Sequence, residues 1–129
     1  MAKFLSEDWF KDYAEEWNRN ENLKSALKKF SAKIKYYIEN SDQPPVFIEV
    51  KNGEVVDYGL ADNSTKYDFE MWATPEDWKT LATGQMGPKA AMLTKRLKFK
   101  GSMIKAMKYM SPFEESLKMM GRVKTEWEG

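Results

Sequence analysis

With 21 Lys and Arg against 20 Asp and Glu over 129 residues, the chain carries a formal charge of +1 and lacks the strongly basic balance of a dedicated nucleic-acid binder. It contains no cysteine and no histidine, which removes disulfides, thiolate nucleophiles, imidazole bases and the commonest transition-metal ligands at one stroke. What stays is an ordinary globular composition, 42% apolar and 32% charged, at a length suited to one domain spanning residues 1–129 around one core.

The opening residues, Met1 to Leu5, run directly into Ser6, Glu7 and Asp8 and are too short an apolar stretch for a signal peptide. No run approaches the roughly 18 apolar residues of a membrane span. The final residues Glu126-Trp127-Glu128-Gly129 are not a peroxisomal address, so a cytoplasmic location is expected.

Ser6 with two acidic residues behind it is a helix start, because a capping hydroxyl and an acidic first turn suit the positive end of the helix dipole. Trp9, Tyr13 and Trp17 follow at four-residue spacing beside Phe10 and Ala14. That aromatic stripe either packs on a sheet, the commoner use, or forms a wall of a binding cavity. Asn20 to Asn22 interrupt the pattern, and Leu23, Ala26, Leu27 and Phe30 make a second short helical face.

From there the period changes to two. Ile34, Tyr36 and Ile38 alternate with Lys33, Lys35 and Tyr37, and Asp42-Gln43-Pro44-Pro45 ends the strand. Val46 to Lys51 and Glu54 to Leu60 flank Asn52-Gly53, a strong hairpin signal. A two-residue turn pairs Val50 with Val55, Ile48 with Asp57 and Phe47 with Tyr58, which leaves neither face cleanly apolar. Ala61 to Thr65 is polar and suits a crossover, after which Tyr67, Phe69 and Met71 alternate with Asp68, Glu70 and Trp72 as a fourth strand.

Thr74-Pro75-Glu76-Asp77 combines a capping threonine, a proline at the first helical position and an acid three residues on from the cap. The helix carries Trp78, Leu81 and Ala82 and stops at Gly84. Gly87-Pro88 to Leu93 gives another short helix, Leu97 to Phe99 a fifth strand, and Gly101-Ser102 a break and a cap. Met103, Ile104, Met107 and Met110 then share one side of a helix. Ser111-Pro112 with Glu114 reads as a fresh start for a last helix bearing Phe113, Leu117 and Met120, with Gly121 at its end and Val123 and Trp127 as anchors of the tail. The sum is an α+β fold: a five-stranded, mostly antiparallel sheet with helices on one face.

The order Trp78, Leu81, Gly84, then Ala91-Met92 and Leu97-Lys98-Phe99-Lys100-Gly101 resembles the signature of the sterol carrier protein 2 (SCP2-like) lipid-transfer family. The resemblance extends more weakly upstream through Tyr67-Asp68-Phe69 to the Asn52-Gly53 hairpin. Its motif is a pattern of apolar and glycine positions without catalytic groups. The family usually has Gly at the position of Lys95, where lysine meets a higher cost for a positive φ, and Asp at that of Ser102, which caps equally well.

The resemblance implies an apolar cavity between sheet and helices that holds a lipid. Residues expected to line it are Trp78, Leu81, Met86 and Met92, then Met103, Ile104, Met107 and Met110 on the methionine-rich helix, then Phe113, Leu117 and Met120. Seven of the nine methionines lie between Met86 and Met120. Unbranched, polarisable thioethers can repack around guests of varying shape, or simply fill awkward gaps in a core. Eight basic residues and no acidic one fall between Lys79 and Phe113. They suit transient docking on an anionic membrane at about 1 kcal/mol per well-placed cation, or protection of a strand edge.

The expected function is therefore non-enzymatic binding and transfer of sterol-like or fatty acyl lipids, with no metal and no cofactor and with no nucleic-acid partner. The pattern specifies no oligomeric state. An alternative is an accessory subunit that presents a lipid or polyprenyl intermediate to partner enzymes. An acyl-processing enzyme is disfavoured: Ser102 has no histidine partner, Asp68 and Glu70 stand in no motif, and Asp57 is the one carboxylate to examine for burial.

Overall fold

The computed structural model describes residues 2–127. Its elements follow the local signals closely wherever a side chain meets nearby backbone. After a two-residue strand β1 (Ala2–Lys3), Ser6 accepts a hydrogen bond from Trp9 N at 3.2 Å and starts α1 (Glu7–Arg19). Asn20 accepts from Leu23 N at 3.0 Å and starts α2 (Glu21–Ala26). Thr74 does the same for α3 (Pro75–Ala82) through Asp77 N at 3.2 Å, with Pro75 leading the helix. Ser102 caps α5 (Met103–Lys108) through Lys105 N, while α4 (Pro88–Leu93) starts on Gly87 and Pro88 without a side-chain cap.

Five strands make one sheet: β2 (Ala32–Ile38), β3 (Val46–Lys51), β4 (Glu54–Leu60), β5 (Phe69–Ala73) and β6 (Lys98–Gly101), in the order β4-β3-β2-β5-β6. The sheet is mostly antiparallel, with one parallel pair where β5 lies beside β2, Ile34 opposite Phe69 and Tyr36 opposite Met71. That pairing is reached by the crossover after β4, which carries the chain past β3 and β2 before it re-enters the sheet.

Asn52 at φ 50 and Gly53 at φ 86 form the hairpin turn that the sequence specifies. Gly53 is required twice over there, since a Cβ on it would sit 2.5 Å from Lys24 O. The register beyond the turn differs from expectation. Val50 does face Val55, but a bulge between Glu49 and Val50 shifts the ladder by one, so Glu49 meets Asp57, Ile48 meets Tyr58 and Phe47 meets Gly59. One extra residue on β4 is what a bulge inserts, and it sets Tyr58 instead of Asp57 opposite Ile48, which is buried with Val46 and Val50 by the alternation of β3.

That face also carries Ala32, Ile34 and Tyr36 from β2 and Phe69, Met71 and Ala73 from β5, all buried against the helices. On α1, Trp9, Phe10, Tyr13, Ala14 and Trp17 are buried. Their rings interlock, Trp9 over Tyr13 at 5.2 Å and Phe10 edge-on to Tyr36 at 5.2 Å, contacts that contribute about 1 kcal/mol each beyond area burial. The indole N–H groups of three buried tryptophans find acceptors: Trp9 donates to Thr125 Oγ1, Trp17 to Gly53 O and Trp78 to Tyr37 O, at 2.7–2.9 Å. Asn18 both donates to Val55 O and accepts from Val55 N, stitching α1 to the edge strand β4.

The end of the chain differs from expectation in two ways. The last long helix, α6 (Met110–Lys118), begins at Met110 without a side-chain cap, so Ser111 lies inside its first turn and does not start it. Pro112 has no N–H to offer Lys108 O, and its ring crowds that carbonyl. The helix therefore breaks one turn earlier, at Tyr109, while Phe113 N still bonds Tyr109 O at 2.9 Å. A short 3-10 turn (Met119–Arg122) contains Gly121, and beyond it β7 (Thr125–Glu126) pairs in parallel with β1. Val123 is buried and Trp127 stacks on Phe4 at 4.9 Å, so both tail anchors hold. Among the described residues no helix is long and apolar enough to cross a membrane.

Candidate functional site

Between the sheet and the broken helix pair α5–α6 lies an apolar slot. Its floor is built by strand alternation: Ile34 and Tyr36 of β2, Phe69 and Met71 of β5 and Phe99 of β6 project to one face because each is two residues, or one strand, from the next. Trp17 at the end of the α1 stripe and Leu27 and Phe30 after α2 close one side. The roof is Lys105 and Ala106 of α5, Tyr109 at the break, and Phe113 and Ser116 of α6.

The slot is thin. It contains about 440 Å³ free of protein atoms, mouth included, yet the centre of a water-sized sphere has only about 30 Å³ of it to move in. Small-molecule sites span about 300–1,000 Å³, so a lipid-sized guest needs more room than the slot has in this conformation.

Of the residues expected to line a cavity, Phe113 alone does so. Trp78, Leu81, Leu117 and Met120 are buried core residues away from the slot. Met86 and Met92 are half-buried against that core, and Met110 is half-buried at the start of α6. Met103, Ile104 and Met107 turn outward, 54%, 87% and 64% exposed. Helical spacing shows that an apolar face exists but not what covers it, and α5 meets the protein chiefly through Ala106, its one buried residue. The residues that reasoning missed include five strand positions, Ile34, Tyr36, Phe69, Met71 and Phe99, whose alternation was legible once the covered side of the sheet is known.

Two polar groups mark the slot. At the roof, the Lys105 ammonium lies 5.3 Å from the Phe30 ring centroid and 3.5 Å from Ser31 O. On the floor, Tyr36 is wholly buried and its hydroxyl makes no hydrogen bond. Beside it, Tyr13 donates to Ser116 O at 2.7 Å, and Ser116 Oγ donates in turn to Phe113 O at 2.7 Å. Burial pushes both tyrosine hydroxyls well above their ordinary range, so both remain neutral O–H groups. Such a lining can enclose an aliphatic or fused-ring guest and meet one or two of its oxygens. Among the described residues no cluster of acidic groups could hold a metal ion, and Asp57 is exposed.

The outer surface of this region is basic. Lys98 pairs with Glu39 at 2.6 Å and Lys100 approaches Glu70 at 4.0 Å. Among the described residues Lys89, Lys95, Arg96, Lys105 and Lys108 form no ion pair, and Leu93, at the end of α4, is 77% exposed among them.

The sequence matches the model of the SCP-2 sterol transfer family over residues 10–114. No curated protein matches the chain. Among solved structures, a crystal structure of sterol carrier protein 2 superposes with a TM-score of 0.85 at 17% identity, covering 95% of this chain and 100% of that one. A possible sterol carrier protein from Thermus thermophilus gives 0.79 at 16% identity, covering 99% and 94%. A UbiJ-SCP2 ubiquinone synthesis protein gives 0.58 at 12% identity, covering 81% and 84%.

Proposed function

Because the chain belongs to the SCP-2 sterol transfer family, we propose that it binds and transfers sterol-like or fatty acyl lipids, catalysing no reaction on them and holding the guest's apolar part between the sheet and α5–α6. The observation that carries this reading is the slot itself, apolar on its floor and along the side made by Trp17, Leu27 and Phe30, and roofed by α6 together with α5, of which α5 buries a single alanine. Each guest methylene removed from water contributes roughly 0.8 kcal/mol. A chain of about ten gains on the order of 8 kcal/mol before ordering costs, so no dedicated headgroup pocket is needed for useful affinity.

Guest exchange on this reading occurs at an anionic membrane. The unpaired cations around α4, β6 and α5 draw the protein to acidic lipid, and Met103, Ile104 and Met107 enter the interface, where their exposed carbons leave water. Drawing α5 outward lifts the slot's roof. Transfer of a fluorescent sterol or fatty acid between donor and acceptor vesicles tests the function, together with mass spectrometry of organic extracts of the purified protein. Expected are a bound lipid and transfer that accelerates with acidic lipid and slows with added salt. Absence of any extracted lipid and of transfer would overturn the reading; transfer indifferent to acidic lipid and salt would remove the docking step alone.

A second reading, an accessory subunit presenting a lipid or polyprenyl intermediate to partner enzymes, is favoured by the outer face of the sheet. There Tyr37 stacks on Trp72 at 5.4 Å beside half-buried Phe47 and Tyr67, an aromatic surface of the kind enriched at protein contacts. A solved structure of like fold is named as a ubiquinone synthesis protein. Native mass spectrometry separates the two: a lone lipid-bound chain supports the carrier, an obligate complex the subunit.

A further inference from the structure

Tyr36 is the one described residue with a wholly buried side-chain nitrogen or oxygen that makes no hydrogen bond. A buried hydroxyl left without a partner is costly, and proteins keep few such groups. Tyr36 itself lines the slot, in the middle of the central strand β2, beside Ile34 on its own strand and Phe69 and Met71 on β5. Its neighbour Tyr13 has already committed its proton to Ser116 O and faces Tyr36 with its oxygen alone, outside hydrogen-bond geometry.

We propose that the Tyr36 hydroxyl is the anchor for a neutral oxygen on the bound lipid, an alcohol, ketone or ester, which enters first and lies at the floor with the apolar remainder extending toward the roof. The inference rests on the carrier reading above and adds an orientation and a chemical class to it. A carboxylate does not suit that position. The cation of the slot, Lys105, is on the roof and not the floor, and burying an unpaired charge in an apolar site costs far more than burying a hydroxyl. Fatty acids therefore bind the other way round, tail inward and carboxylate beside Lys105. One slot thus sorts its guests by head chemistry into two opposite orientations, with Tyr36 reading neutral heads and Lys105 reading anionic ones.

The test uses the full chain and two probes of equal chain length, cetyl alcohol and palmitic acid, partitioned at equilibrium between neutral vesicles and protein. Tyr36→Phe is expected to weaken cetyl alcohol by about fivefold, the worth of one net hydrogen bond, and to leave palmitic acid unchanged. Lys105→Gln is expected to do the reverse. Melting of the unliganded protein supplies a control: removing a hydroxyl that the protein itself does not partner leaves the midpoint of Tyr36→Phe unchanged or raised. A lowered midpoint would mean that the hydroxyl serves the fold, and would overturn the proposal. So would equal loss of both probes, or of neither, in Tyr36→Phe. Failure of the unaltered protein to take up either probe would sink the carrier reading itself.

Discussion

Lys95 adopts φ 60, a left-handed conformation that costs a residue with a Cβ roughly 1–2 kcal/mol. It does so at the position where the family usually has glycine, so the tight link between α4 and β6 is kept although its preferred residue is not. Lys95→Gly is expected to stabilise the fold by about 0.5 kcal/mol after the larger unfolded-state entropy of glycine is counted, a rise of about 2 °C in the melting midpoint by calorimetry. Asp62 organises the crossover loop in a different way. Its carboxylate accepts from the Thr65 and Ser64 hydroxyls and from both their backbone N–H groups, at 2.7–3.0 Å, and these bonds hold its pKa below the ordinary value. A depressed native value means that the bonds contribute above the unfolded pKa and are lost as pH falls through the folded one. The Ser64 and Thr65 amide resonances are expected to titrate together with a midpoint below that of a free aspartate. At this scale the sequence was most legible, since Ser6, Thr74 and Ser102 cap by local geometry that needs no knowledge of the rest of the chain, while Asn20, read only as an interruption, caps α2 in the same way.

Elements were legible when their period was long enough, and their partners less so. The aromatic stripe of α1 and the alternation of β2 and β5 announce themselves, and α1 packs on the sheet as expected, with Trp17 alone of its rings at the slot. The β1–β7 pair is invisible in sequence because two residues carry no periodicity. The hairpin register was lost to a single bulge, which composition does not signal. The methionine helix was legible as an apolar face and misjudged in direction, since a six-residue helix can turn such a face either way. Its outward orientation yields a prediction. Ile104→Asp is expected to weaken binding to anionic vesicles about tenfold, by losing most of an isoleucine's transfer free energy, while changing stability by less than about 0.5 kcal/mol because the side chain is exposed. Co-sedimentation and urea denaturation check the two halves.

On the scale of the molecule, packing and charge are distributed unevenly. Trp9, Tyr13, Trp17, Trp78 and Leu117 make a dense core with no exposed surface to speak of. The segment from α4 through α5 carries the cations without ion pairs among the described residues and the exposed methionines, so a net charge of +1 hides a locally basic surface. Net composition describes the average of the whole surface and says nothing about this patch, which only the order of the charges along the chain discloses.

That α5, the outer part of the roof, is fastened by one alanine also has a kinetic meaning. Segments with so little buried contact come undone far more cheaply than the whole fold, and an opening free energy of about 2.7 kcal/mol would leave roughly one molecule in a hundred ajar at any instant. Uptake from solution is then gated by that minority. The observed loading rate should level off as free lipid is raised, at a ceiling set by how often α5 lets go, and stopped-flow fluorescence would show the plateau.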